Sequence, residues 1–190
     1  ARTREAQIEA ALERVRSRSL AMHHSDELKE VIAVILGQLQ ELGISMVRRS
    51  VIMLLFEEGI KDFIQLVASP QHAAPLRLAT PYFDHIMLKD IWETREKGIN
   101  FSSITLTKEE KDHFFSYFYE HTAPLTPEEE KRWQFESEHY TFAYAVQRHS
   151  GIGIANFTDI PLSENENEIL RRFSTGFEQS YIRFLDLQKA

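Results

Sequence analysis

Two Glu-x-x-His pairs are the first candidates for chemistry: Glu110 with His113, and Glu136 with His139. Residues three apart share a helix face, and carboxylate-bridged di-iron bundles use this pair twice on long facing helices. Here Glu110 doubles as a capping residue in a first helical turn and His139 runs straight into a strand pattern, so solvated surface pairs are expected and no metal site. His23 and His24 are adjacent, hence about 100° apart on a helix, which is poor for chelating one ion. His149, beside Ser150-Gly151, reads as exposed. His85 follows Asp84 near a helix start, where it can bond locally or reach a ligand.

Other catalytic patterns are missing. Gly151-Ile152-Gly153 has no third glycine at dinucleotide-loop spacing and leads into a strand. There is no G-x-S-x-G, Walker A or H-E-x-x-H run. With no cysteine, thiolate metal sites, cysteine nucleophiles, disulfides and thioether-linked bilins are excluded within this chain, and a cytoplasmic setting is expected. The fragment is therefore read as non-enzymatic, with no cofactor expected.

The thirteen Phe, six Tyr and two Trp offer a different function. Trp92, Phe101, Phe114, Phe115, Trp133, Phe142 and Tyr144 come from central segments and could line an apolar pocket. His85, Gln147 and Arg148 could supply its polar groups. The site expected for an unidentified small-molecule ligand is thus His85, Trp92, Phe101, Trp133, Phe142, Tyr144 and Arg148; an aromatic-rich filled core satisfies the same composition.

The elements that must position these residues follow from periodicity. Ile8, Val15 and Met22 are seven apart, with Leu12 between, in a helix from Arg4 to about His23. This seam suits a helix packing on its own domain or one pairing with a second chain. Ser25-Asp26-Glu27 caps a second helix whose stripe Leu28, Val31, Ile32, Ile35, Leu39, Leu42 ends at Gly43. Ser50–Phe56 and Lys61–Ala68 read as a hairpin around Glu57-Glu58-Gly59, and Leu76-Arg77-Leu78 as loop or edge strand. A helix from Asp84 to about Lys97 and a strand Ile99–Leu106 precede a capping box, Thr107 with Glu110, and a further helix start at Thr126-Pro127. Tyr140–Gln147 and Ile152–Phe157 make a second hairpin. A last capping box, Ser163 with Glu166, opens a helix carrying Ile169, Phe173, Phe177, Tyr181 and Phe184. The order implies an α+β fold, a mostly antiparallel sheet flanked by helices.

Charge and hydropathy limit the partners. The net charge is −7 while residues 1–24 carry five Arg and three Glu, so no basic face for nucleic acid is expected. No apolar run is long enough to insert in a membrane. The chain starts without Met and ends at Leu187-Gln188-Lys189-Ala190 with no Gly or Pro stop, so a longer parent with helices continuing beyond both ends is expected.

The opening Arg4-Glu5-Ala6-Gln7-Ile8-Glu9-Ala10-Ala11-Leu12-Glu13-Arg14-Val15-Arg16-Ser17-Arg18 with Ala21-Met22-His23 resembles the helical lead-in of GAF-like modules in bacterial two-component sensor proteins. Leu170-Arg171-Arg172-Phe173 and Phe177 through Ala190 resemble their exit helix. The centre is similar more loosely, through Tyr82-Phe83-Asp84-His85, Trp92, Phe101 and the hairpin from Phe142 to Gly151. The resemblance implies a lead-in over 1–24 and a GAF-like sensory domain over 25–190, with a long exit helix from about 164. It further implies a homodimer through the end helices, with Ile8, Leu12, Val15, Met22, Phe177, Tyr181 and Phe184 at the seam. Neighbouring signalling domains, such as a histidine kinase, would receive the output. The alternatives are a ligand-free dimerisation spacer and, more remotely, a metal-dependent enzyme.

Overall fold

Alternation along six strands sorts their side chains into two separate cores, one on each face of a single sheet. The computed structural model describes residues 3–72, 74–122 and 126–190. Helix α1 (Arg4–Leu20) is followed by a 3₁₀ turn at Ser25–Glu27 and helix α2 (Leu28–Glu41). Strands β1 (Arg49–Leu55), β2 (Phe63–Ala68) and β3 (Leu76–Thr80) precede α3 (Ile86–Glu96), β4 (Phe101–Thr105), α4 (Lys108–His121) and α5 (Glu128–Glu136). Strands β5 (Thr141–Val146) and β6 (Ser150–Asn156) lead into α6 (Glu164–Lys189). The strands lie in the order β3-β2-β1-β6-β5-β4, and every pairing is antiparallel. This is an α+β fold with an open antiparallel sheet. Leu76–Thr80 is one of its two edge strands, and Thr126 lies just outside α5, whose N-cap is Pro127.

One face collects Val51, Met53 and Leu55 of β1, Ile64 and Leu66 of β2, and Ile152 and Ile154 of β6 against α1, α2 and α6. The other collects Ile52, Leu54, Phe63, Phe142, Tyr144 and Ala155 against α3 and α4. A strand presents successive side chains to opposite faces, so register alone decides which core each residue joins.

Local chemistry sets the element ends. In both capping boxes, Thr107 with Glu110 and Ser163 with Glu166, each side chain bonds the other's backbone N–H, so two donors of the first turn are satisfied. After α2, Gly43 takes φ +83°, a left-handed conformation that costs glycine little. The N–H groups of Gly43 and Ile44 then bond the carbonyls of Gln40 and Leu39. The start of α2 differs from expectation: Ser25 does not cap it, because residues 25–27 wind into the 3₁₀ turn. Glu27 instead accepts from the backbone N–H of His23 (2.7 Å) and His24 (2.8 Å) and pairs with Arg18 (2.9 Å).

Helices α1 and α6 run parallel. Arg172 pairs with Glu5 (2.8 Å) and Glu9 near the start of α1, while Gln188 Nε2 donates to the carbonyl of His23 beyond its end (3.2 Å). Among the described residues no helix is long and apolar enough to cross a membrane.

Candidate functional site

The aromatic face is incompletely filled. Between β1, β2 and β3 on one side and α3, α4 and α5 on the other lies a cavity of about 60 Å³. Phe63, Phe114, Phe115, Phe118, Phe142 and Phe157 provide much of its apolar wall, together with Ile52, Met87 and Tyr140. Their rings meet edge-on or tilted, as for Phe115 with Tyr140 (5.5 Å) and with Phe157 (5.2 Å), an arrangement the ring quadrupoles favour.

Part of the lining is polar. Gln65, His72, Tyr119, Glu130 and Gln134 all border the cavity. Gln65 is buried in β2, placed there by the same alternation that puts Phe63 and Val67 on this face. Glu130 and Gln134, one turn apart on α5, are buried as well. His72, from the β2–β3 loop, approaches Glu130 Oε2 with its Nε2 at 2.8 Å, while its Nδ1 is buried without a hydrogen-bond partner among the described residues. The Tyr119 hydroxyl donates to Gln134 Oε1, and burial pushes the phenol up to about 12, so it stays a donor at neutral pH.

A buried lysine holds α5 in place. Lys111 on α4 is fully buried, and its ammonium donates to the carbonyls of Gln134 (2.6 Å), Phe135 (3.0 Å) and Ser137, with Asp112 Oδ1 3.0 Å away. These carbonyls belong to the last turn of α5 and the residue after it, where helical acceptors run out of intrahelical donors and attract a cation. Thus Lys111 ties α5, and with it Glu130 and Gln134, to α4.

Of the residues expected from sequence to contact a ligand, Phe142 lines the cavity, and Phe114 and Phe115 do so too. The others lie elsewhere. His85 caps α3: its Nδ1 accepts from Met87 N–H (3.0 Å) and its Nε2–H donates to the Glu110 carbonyl (2.8 Å), so both nitrogens are used within the protein. Burial holds its pKa below the ordinary histidine value. Tyr144 stacks on Phe142 (4.9 Å) and donates to Asp90 Oδ2 (2.6 Å). Trp92 packs edge-on against Phe56 (5.4 Å) and Trp133 against Phe157 (5.3 Å), each half-buried. Arg148 is exposed, and its carbonyl accepts from Arg95 Nε (2.8 Å). Phe101 lies on the opposite face, packed against the aliphatic core beneath Arg171, because its cross-strand partner is Ala145 rather than Tyr144.

The residues expected at a dimer seam are gathered inside the single chain. Ile8, Val15, Met22, Phe177, Tyr181 and Phe184 are all buried in the core under α1, α2 and α6, and Leu12 packs half-buried against it. The outward positions on these helices with exposed aliphatic side chains are Leu20, Ile182 and Leu187.

Glycines of the second hairpin serve the aromatic core. A Cβ on Gly153 would lie 2.6 Å from the Ala143 carbonyl oxygen and from Tyr144 Cβ, and 2.9 Å from a ring carbon of Phe142. Only a bare Cα lets these rings lie across β6. At the hairpin tip, Glu178 of α6 accepts from Ser150 Oγ (2.7 Å) and His149 N–H (3.0 Å). The two Glu-x-x-His pairs do not converge: Glu110 is spent on its cap, and Glu136 and His139 are exposed. Among the described residues no three His, Cys, Asp or Glu side chains are grouped as metal ligands.

No protein-family model matches this chain, and no curated protein does. Function has to be argued from the cavity and its surroundings.

Sequence reasoning missed the polar border of that cavity. One signal was available: Gln65 interrupts the apolar run Phe63-Ile64-Gln65-Leu66-Val67, and a polar residue inside such a run needs a partner. His72 sits in a loop and Glu130 in an acidic helix start, and neither position carries a local signal.

Proposed function

We propose that this chain is a non-catalytic sensory and dimerisation module of the GAF-like type, belonging to a two-component signalling protein, in which a small molecule in the aromatic cavity biases the end helices. The observation that carries the reading is the division of labour across one sheet. A partly polar cavity lies on one face, the parallel pair α1 and α6 lies on the other, and β1 and β2 contribute to both. The resemblance of the two ends to sensor-module helices supports the same reading, as does the α+β antiparallel architecture that it implies. A ligand acts on output only by binding two states unequally. Movement of β2 around Gln65 would be felt directly by Ile64 and Leu66 on the far face, and the bonds from Glu178 to Ser150 tie α6 to the sheet. A homodimer would use the outward faces of the end helices, since the seam expected from sequence is occupied inside each chain.

A spacer role with no ligand is the second reading, favoured by the small size of the cavity. Native mass spectrometry and thermal-shift screening against cell metabolites decide between them. A retained or stabilising ligand, weakened by Gln65→Leu, is the expected result. Failure of every ligand, together with hydrogen exchange around α5 as slow as in α6, would leave only the spacer. Sizing of Ile182→Glu and Leu187→Glu tests the dimer: an unchanged oligomeric state would remove the end helices from the interface.

A further inference from the structure

We infer that the cavity selects a compact organic cation, an aliphatic amine being the simplest case. The inference rests on the sensory reading above and gives its ligand a chemical class. Glu130 brings a carboxylate into an aromatic enclosure, and among the described residues no Lys or Arg lines the cavity to balance it. The buried cation on this face, Lys111, is committed to the carbonyls of α5 and to Asp112. Among the described residues the partner of Glu130 is His72, whose Nε2–H donates to Oε2 and whose Nδ1 lies on the far side of the ring. That atom is buried and without a hydrogen-bond partner among the described residues, so it too calls for one.

An ammonium meets the demand of the carboxylate. It donates to the Glu130 carboxylate, and Phe115, Phe118 and Tyr140 line the same cavity, where an aromatic face turned toward it attracts a positive charge; His72 Nδ1, on the far side of its ring from Glu130, takes a separate partner. An anion would meet the Glu130 carboxylate with no countercharge, at a heavy desolvation cost. Size restricts the choice further. A volume of about 60 Å³ admits about four or five non-hydrogen groups, at roughly 12 Å³ for each water-sized occupant. Isobutylamine fits this description, whereas nucleotides and tetrapyrroles do not.

The test compares three isosteres on the whole chain by calorimetry or ligand-observed NMR at neutral pH: isobutylamine, 2-methylpropan-1-ol and isobutyrate. Isobutylamine should bind at least tenfold tighter than the alcohol, with isobutyrate undetectable. Glu130→Gln should erase the amine's advantage while alcohol binding persists, which also shows that the variant is folded. Preference for the alcohol or the acid overturns the cation class and leaves the sensory reading standing. An equal amine advantage in Glu130→Gln overturns the role of the carboxylate. If none of the three binds and a broad metabolite screen also fails, both the class and the sensory reading fall; if the screen finds a neutral or acidic ligand, only the class does.

Discussion

The two faces of the sheet are built from different materials. Toward α1, α2 and α6 the core is mostly aliphatic between sheet and helices, and Phe173 and Phe177 on α6 are fully buried. Toward α3, α4 and α5 it is aromatic, carries polar side chains at a cavity, and depends on a buried lysine. Protein interiors pack at near-crystalline density whatever their composition, so a cavity bordered by buried polar groups sets the second core apart. The contrast teaches where adaptability is affordable. One face fixes the framework, and the other retains room for a change of occupant.

The largest expected effect is on the fixed face. Phe177→Ala should destabilise the chain by about 4 kcal/mol in urea unfolding, because a filled core cannot collapse around the void. A loss below about 1 kcal/mol would mean that this face is as loose as the other. Gly153→Ala should cost about 3 kcal/mol, since backbone as well as ring atoms must move away from the new methyl. The accompanying shifts in NMR spectra should centre on Phe142 and Tyr144. Lys111→Met should cost about 2 kcal/mol by leaving the carbonyls of the α5 terminus unpaired. Hydrogen exchange should then quicken in α5 and not in α6; uniform acceleration would show that the two faces do not open separately.

The smallest effects are those of pH. His85 is held neutral by burial, so its folded-state pKa lies below the unfolded value of about 6.5. The unfolded chain then binds the extra proton, and this contribution is complete above that pH and declines as pH falls below it. On the opposite face, hydrogen bonds from the His23 and His24 N–H groups, and then from Arg18, lower the Glu27 carboxyl to about 2. Its contribution is complete above the ordinary carboxylate range and is lost as pH falls from about 4.5 toward 2. Stability curves for His85→Asn and Glu27→Gln should therefore depart from the parent in separate windows, the first starting near pH 6.5 and the second only below about 4.5. Coincident windows would remove one of the two assignments.

What could be read in the sequence was local. The two capping boxes, the glycine stop after Leu42 and both hairpins depend on residues a few positions apart, and each is found where the pattern put it. Face assignment was not legible, because it depends on which strand neighbours which. Phe101 and Phe142 look equivalent as aromatics in predicted strands, yet the register that pairs Phe101 with Ala145 and Phe142 with Ile104 and Ala155 sends them to opposite cores. The polar side of the cavity was hidden for the same reason. Gln65, His72 and Glu130 come from a strand, a loop and a helix far apart in the chain, and only the packing of α5 on α4 brings the helix to the other two. His85 shows the converse. Its position at a helix start was visible, but the carbonyl of Glu110 that occupies its second nitrogen was not.

Arg172 touches two carboxylates, Glu5 and Glu9, that stand one helical turn apart on α1. Because the two helices point the same way, sliding α6 along α1 would carry the guanidinium past these carboxylates like a pointer past graduations spaced about 6 Å apart. Arg172 holds both acids at once, so a slide of α6 in either direction would separate it from one of them before the other.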